Sequence, residues 1–188
     1  MYMCERLGMP LEQALSLRRT YFETYGTTLR GLQRHYGIDA NDYLAYVHDL
    51  PLEKYLQPDP GLRDLLQELA CRRWIFTNAD VDHANRVLEI LTISGCFDGI
   101  IDVRAVQFSC KPDADAYRRA LVVAGEADPH TCVYLDDSPR NLVTAHSLGF
   151  TTVLVGSDQP HPAAIHSIPT VHRLKDILPG LWDHRDGA

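Results

Sequence analysis

The sequence predicts an α/β protein in which a helical N-terminal region precedes a core built on a parallel β-sheet. Residues 1–57 contain only helix-type periodicity, whereas from Pro58 onward helical segments alternate with short apolar segments typical of strands. These strands are uniformly apolar, as expected for a parallel sheet that helices cover on both faces. In such sheets the chemistry gathers at the carboxyl ends of the strands.

Three successive helices dominate the predicted helical region. PLEQALSLRRTYFETYG has apolar residues at helical spacing and Gly26 as its C-terminal cap. The residues assigned to its buried face are Leu11, Ala14, Leu15, the aliphatic stem of Arg18, Phe22 and Tyr25. TTLRGLQRHYG is a second helix that ends at its final glycine. DANDYLAYVHD is a third, with Asp39 as its N-cap.

Downstream, the predicted elements alternate regularly. In chain order they are a helix in PDPGLRDLLQELA, a strand in RRWIFTN, a helix in ADVDHANRVLEILT, a strand in FDGIIDV, a helix in KPDADAYRRALVVAG, a strand in TCVYLDD, a helix in SPRNLVTAHSLG and a strand in FTTVLVG. The tail PTVHRLKDILPGLW is predicted to add a short strand and a last helix. The chain is therefore divided into a helical domain, residues 1–57, and an α/β core, residues 58–188.

Composition excludes several classes of function. The net charge of −7 argues against non-specific nucleic-acid binding, which needs a basic surface. No apolar run approaches the length of a membrane span, and the N-terminus lacks a secretory signal. The five cysteines are scattered and form no CxxC pair, so we expect no disulfide framework or zinc site and a cytoplasmic location.

Polar residues follow three of the predicted strands. Thr77 and Asn78 come directly after WIF. Lys111 follows the strand FDGIIDV and begins the segment KPDADAYRRALVVAG, and Asp136 and Asp137 end VYLDD. Each alone is explained by a turn, a helix cap or a solvated surface position. Together, at one sheet edge, the donors suit phosphoryl oxygens and the paired acids suit a hard cation such as Mg²⁺. The sequence thus predicts a phosphate pocket beside a magnesium site.

The order of these residues along the chain discriminates between families. Receiver domains of signalling systems place their acid pair before the Thr and Lys, which is the reverse of the order here. The order Thr, Lys, acid pair resembles the haloacid dehalogenase (HAD) superfamily of phosphohydrolases. YGTTLRGL, LPLEKYLQPDPGLRDLL, IFTNAD..HANRVLEIL and FDGI further resemble its pyrimidine 5′-nucleotidase branch, over residues 21 to 155.

The resemblance implies a HAD-like Rossmannoid core with residues 1–57 as most of a helical cap. It implies that Thr77, Asn78 and Lys111 bind the phosphoryl group of a small metabolite, most plausibly a nucleoside monophosphate. Asp136 and Asp137 would bind Mg²⁺. Asn141, four residues after Asp137, would support that geometry.

Family members open with a strand that ends in DxDxT, whose first Asp attacks phosphorus and whose second acts as general acid and base. The sequence has no such motif before its helical domain. Asp80-x-Asp82 and Asp113-x-Asp115 do not substitute, because each pair lies in a first helical turn, and we interpret them as capping and surface acids.

Without that strand, which is central in the family, the sheet should have two inner edges with unpaired backbone groups. We expect the intact parent protein to be a magnesium-dependent phosphomonoesterase and this chain to be inactive through truncation. The alternative is a natural relative that has lost catalysis and binds phosphate or metal in a regulatory role. The exposed gap favours self-association as a homodimer.

Overall fold

The computed structural model describes residues 2–183. The helical region, residues 2–57, contains α1 (Tyr2–Leu7), α2 (Leu11–Tyr25), α3 (Thr28–Tyr36) and α4 (Ala40–His48). The α/β region follows, with α5 (Pro60–Gln67), β1 (Trp74–Phe76), α6 (Val81–Ile90), β2 (Gly99–Ile101), α7 (Ala114–Ala124), β3 (Val133–Asp136), α8 (Pro139–Ser147), β4 (Thr151–Val155), β5 (His166–Ile168) and α9 (Leu174–Ile177). Residues 1 and 184–188 of the predicted domains lie outside the described residues.

The predicted ends of the N-terminal helices are confirmed. Gly26 ends α2 in the left-handed region at φ 82°, and its N–H donates to the carbonyl of Phe22. Gly37 ends α3 in the same way at φ 60°. The Asp39 carboxylate caps α4 by accepting from two backbone N–H groups of its first turn. These ends are local events, which is why sequence signals suffice for them.

The predicted buried face of α2 is confirmed at Ala14, which is fully buried, but is wrong at its large apolar residues. Leu11 and Phe22 are more than half exposed, whereas Tyr21 is only 6% exposed. The cause is Gly31 on α3, where an added Cβ would lie 2.2 Å from the Tyr21 ring. The glycine lets the two helices approach closely, so α2 turns the face carrying Tyr21 inward and leaves the Leu11 face to solvent.

The strands form two separate parallel sheets instead of one. β1 pairs with β2, with Phe76 opposite Ile101. β4 pairs with both β3 and β5. β1 and β3 do not pair with each other within residues 2–183, so each presents an inner edge to the other, as expected from the missing central strand. We call the space between these two edges the inter-sheet gap.

The gap explains why β1 and most of β3 are half-buried, although a fully buried sheet was predicted. A parallel strand bonds one neighbour through every second residue. On either side of β1, the Arg73 carbonyl accepts from the Asp98 N–H and the Thr77 N–H donates to the Ile101 carbonyl. This alternation directs the backbone groups of Trp74 and Phe76 toward the gap. Within residues 2–183 no strand pairs with this edge of β1, and the Phe76 carbonyl accepts from the side chain of Lys111 instead.

The last strand lies earlier than predicted. β5 is formed by His166–Ile168, and the chain from Val171 onward turns into a short 3₁₀ helix and α9. Pro169 explains the shift, because it has no N–H to donate and ends the pairing with β4. Within residues 2–183, no helix is both long and apolar enough to cross a membrane.

Asp59 caps α5 and gives a pH-dependent contribution to stability. Its carboxylate accepts from the Leu62 N–H at 2.9 Å and contacts His172 Nε2 at 3.1 Å. The backbone hydrogen bond, followed by His172, lowers the pKa of Asp59. A depressed pKa means that this contribution is present above the ordinary pKa of about 3.9 and is lost as the pH falls through the lower folded value.

We therefore expect Asp59→Ala to lower the free energy of unfolding at pH 7 by about 1 kcal/mol, the usual cost of losing an N-cap. The difference from wild type should shrink below pH 4, where the wild-type carboxylate itself takes up a proton. Urea unfolding at both pH values measures this. An equal loss at both would contradict the charged cap.

Candidate functional site

The predicted site residues come together at the carboxyl edge of the two sheets. Thr77 follows β1, Asp136 ends β3, and Lys111 lies in the loop between β2 and α7. The Lys111 ammonium donates to the carbonyl of Phe76 at 2.9 Å and to Asp136 Oδ2 at 3.0 Å. One side chain therefore bridges the inter-sheet gap and joins the end of β1 to the end of β3.

Asp136 is the most heavily bonded side chain of the site. Its Oδ2 also accepts from the Tyr134 hydroxyl at 2.5 Å, and its Oδ1 accepts from the Ser138 N–H at 2.9 Å and the Asn141 amide at 3.0 Å. Only 6% of the side chain is exposed. Burial alone would raise the pKa of Asp136, but the Lys111 ammonium and these hydrogen bonds outweigh it and hold the pKa below its ordinary value.

Asn78 fixes the backbone of Lys111. Its Nδ2 donates to the Lys111 carbonyl at 3.1 Å, and its Oδ1 accepts from the Lys111 N–H at 2.8 Å. Both ends of the amide are thus used in positioning this loop, and the predicted contact of Asn78 with phosphate stays a prediction. The Thr77 hydroxyl accepts from the Ala79 N–H at 3.0 Å, which leaves its own proton for another acceptor.

Asp137 differs from Asp136 in its exposure and in its bonding. It is exposed, and within residues 2–183 its carboxylate takes part in no hydrogen bond or ion pair. The same residues contain no cluster of three His, Cys, Asp or Glu side chains suited to a metal ion. Carboxylate oxygens are the kind of ligand that Mg²⁺ prefers, and this ion is usually held by one or two carboxylates together with waters and substrate phosphate.

The first acid of each alternative pair caps a helix, in line with the prediction of capping and surface acids. Asp80 accepts from the His83 N–H at the start of α6, and Asp113 accepts from the Asp115 N–H at the start of α7. Asp113 and Asp115 also form ion pairs with arginines. Asp80 is a buried cap, at 7% exposure.

The helical region docks directly on the loop that carries Lys111. The turn between α2 and α3 packs so closely that a Cβ on Gly26 would lie 2.6 Å from the Lys111 carbonyl oxygen. Next to it, the Thr27 hydroxyl donates to Cys110 Sγ at 3.5 Å. On α8, Arg140 donates to backbone carbonyls at the end of α2. These contacts hold the helical region over the candidate site.

Gly26→Ala is expected to disturb this contact strongly. Alanine at φ 82° is strained, and its Cβ meets a backbone atom that cannot rotate away. We expect a loss of about 2 kcal/mol in the free energy of unfolding, from backbone strain plus the displaced loop. Gly37→Ala is the matched control, because Gly37 also has a positive φ but nothing lies within 4 Å of its added Cβ. Equal losses for both would show that the contact with Lys111 adds nothing.

Tyr134 is a site residue that the sequence prediction missed. Because side chains alternate across a strand, Tyr134 and Asp136 share one face of β3, and that spacing was available in VYLD. The tyrosine was interpreted only as part of an apolar strand. Its phenol instead donates to the buried acid, and burial raises its pKa far above the ordinary value.

Comparison with known proteins assigns the chain to a family. Residues 12–149 match the model of the haloacid dehalogenase-like hydrolases. The chain is 33% identical over 162 residues to Phosphate metabolism protein 8 of Saccharomyces cerevisiae. This match covers 79% of this chain and 50% of that protein. The chain thus spans about half the length of this curated relative.

Solved structures show the same fold at low sequence identity. The HAD-hydrolase YfnB from Bacillus subtilis, solved bound to magnesium, has a TM-score of 0.63 at 17% identity, with 94% of this chain and 87% of that chain covered. The HAD phosphatase from Thermococcus onnurineus has a TM-score of 0.61 at 21% identity, covering 95% and 85%. L-2-haloacid dehalogenase from Xanthobacter autotrophicus has a TM-score of 0.61 at 17% identity, covering 89% and 82%. The family model matches residues 12–149, and the chain has the α/β fold with parallel strands of these structures. The chain therefore belongs to the haloacid dehalogenase-like hydrolases.

Proposed function

We propose that the intact parent of this chain is a magnesium-dependent phosphomonoesterase of the pyrimidine 5′-nucleotidase branch, acting on a small phosphorylated metabolite such as a nucleoside monophosphate. The observation that carries the proposal is the Lys111 ammonium, held 2.9 Å from the end of β1 and 3.0 Å from the end of β3. Its two partners are the carbonyl of Phe76, the residue before Thr77, and the carboxylate of Asp136, the residue before Asp137. The residues 1–57 serve as the cap.

The proposed binding mode uses the donors that remain free. An ammonium has three N–H groups, and two of those of Lys111 are used, which leaves one for a phosphoryl oxygen. The proton of Thr77 supplies a second donor from the end of β1. Asp137, with Asp136 behind it, would hold Mg²⁺, and this ion would offset charge on the phosphoryl oxygens.

The nucleophile is proposed to come from a strand that occupies the inter-sheet gap and ends in DxDxT. Its first carboxylate attacks phosphorus, the ester P–O bond breaks, and the second Asp gives the leaving alcohol its proton. Water then hydrolyses the aspartyl-phosphate and restores the carboxylate. The backbone groups of β1 and β3 that face the gap are those that such a strand would pair with.

The 188-residue chain, which has no DxDxT, is accordingly proposed to be inactive by itself and to derive from a longer parent. The persistence of Thr77, Lys111 and Asp137 supports a parent enzyme, because these residues serve catalysis. In the absence of the strand, the open edges of β1 and β3 favour pairing of two copies as a homodimer.

A second candidate function is a non-catalytic phosphate- or metal-binding regulator. One observation favours it: Lys111 and Asp136 form a 3.0 Å ion pair in this chain, which contains no DxDxT motif. A regulator of this kind would bind phosphate without turning over an ester. The two candidates differ in what precedes Met1 in the gene, namely an in-frame strand ending in DxDxT or an early stop codon.

An assay of the 188-residue chain against a panel of nucleoside monophosphates, with and without Mg²⁺, tests the proposal. We expect no turnover but measurable binding of inorganic phosphate in the presence of Mg²⁺. Magnesium-dependent turnover that Asp137→Asn abolishes would refute the inactive state of this chain. No binding of either phosphate or Mg²⁺ would refute the assignment of the site.

A further inference from the structure

The carboxylate of Asp136 has no acceptor site left for a metal ion. Lys111 and Tyr134 bond its Oδ2, and Ser138 and Asn141 bond its Oδ1. A carboxylate offers about four lone-pair sites, so these four donors fill it. Asp137, one residue further, keeps both oxygens free.

Among the four donors, Tyr134 is the one that sets the orientation. Its ring is 9% exposed and lies edge-on to Tyr117 at 5.4 Å and to Phe150 at 6.0 Å between ring centroids. Such packing fixes the ring and with it the position of the hydroxyl oxygen. The carboxylate must therefore turn Oδ2 toward the hydroxyl, which places the same oxygen against Lys111.

The ammonium of Lys111 also lies close to two aromatic rings. It lies 5.0 Å from the centroid of the Phe76 ring and 5.7 Å from that of the Tyr134 ring. These faces attract a cation and exclude water from it. Tyr134 thus contacts both members of the ion pair, through its hydroxyl and through its ring.

We propose that Tyr134 is a positioning residue: its hydroxyl commits Asp136 to Lys111, so that Asp136 orients the phosphate-binding ammonium and only Asp137 of the acid pair binds metal. The identity of the two ligands, phosphate and Mg²⁺, rests on the function proposed above. The assignment divides the acid pair that the sequence assigned jointly to the metal. It adds a buried tyrosine to the site.

A double-mutant cycle tests the positioning role without any ligand. Tyr134→Phe keeps the ring and removes only the hydroxyl, and it is made in the wild-type and the Lys111→Met backgrounds. Tyr2→Phe is the matched control, because Tyr2 is also buried and its hydroxyl donates to Asp42 at 2.8 Å in the helical region. Unfolding equilibrium constants come from urea titrations.

Tyr134→Phe changes the unfolding equilibrium constant by some factor in each background. We expect these two factors to differ from each other at least about threefold, because the effects of coupled residues are not additive. Tyr2→Phe should change it by the same factor in both. Equal factors for Tyr134→Phe would overturn the proposal, because the hydroxyl would then act on stability independently of Lys111.

Calorimetric titrations with inorganic phosphate and with Mg²⁺ alone separate the two roles. Tyr134→Phe should weaken phosphate binding roughly tenfold, the scale of one hydrogen bond to a charged group, and leave Mg²⁺ affinity within about twofold. A parallel loss of Mg²⁺ affinity would overturn the division between the two acids. Non-additivity in the cycle with no ligand binding to the wild type would uphold the positioning role and refute the proposed function instead.

Discussion

Lys111→Met is expected to lower the free energy of unfolding by about 3 kcal/mol, because it leaves a buried carboxylate without its cation. Asp136 is 6% exposed, and its ammonium partner is 11% exposed. The substitution also removes the donor that satisfies the carbonyl of Phe76 at the edge of β1. Phosphate binding should be lost with it. Urea unfolding and phosphate titration measure the two effects.

Two further variants make this result specific. Lys175→Met removes an exposed lysine paired with Glu68 at 3.3 Å and should change stability by less than about 0.5 kcal/mol. Adding Asp136→Asn to Lys111→Met should recover part of the stability, since no unpaired charge then remains, but none of the phosphate binding. A Lys111→Met variant as stable as the Lys175→Met variant would show that the ion pair does not hold the two sheets together.

Asp137→Asn is expected to reduce Mg²⁺ affinity by at least about tenfold, because it removes one formal charge from a hard-cation site built on few carboxylates. Stability should stay within about 0.5 kcal/mol of wild type, as for surface changes that break no contact. Titration calorimetry with Mg²⁺ and urea unfolding give the two numbers.

Asp82→Asn is the matched control for this variant, since Asp82 is another exposed acid, in the first turn of the helix that follows β1. It should leave Mg²⁺ affinity unchanged. If both variants weaken Mg²⁺ binding equally, the ion responds to the general negative charge of this edge. In that case Asp137 is not a ligand.

Local chemistry made much of the fold predictable. The glycine and aspartate caps at Gly26, Gly37 and Asp39 need only their own turn of chain, and the structure places all three as the sequence indicated. The split of the sheet was also predictable, because the order of strands in the resembled family leaves a gap when its first strand is absent. The structure confirms that gap between β1 and β3.

What failed depended on contacts between distant residues. The buried face of α2 follows from the fit of Tyr21 against Gly31, and helical periodicity alone does not reveal which of two partly apolar faces finds such a partner. The candidate site shows the same limit. Residue types predicted where Lys111 and Asp136 would lie, but the hydroxyl of Tyr134 and the use of Asn78 as a brace for Lys111 depend on the folded geometry.

The most direct test of the central claim extends the chain at its N-terminus with an apolar strand ending in DxDxT, joined by a flexible linker. Turnover of a nucleoside monophosphate with Mg²⁺ is compared with that of the 188-residue chain. We expect activity in the extended chain, none in the original, and none when the first Asp of the added motif is replaced by Asn. Activity in the original chain equal to that of the extended one would contradict the account, because catalysis would then need no strand in the inter-sheet gap.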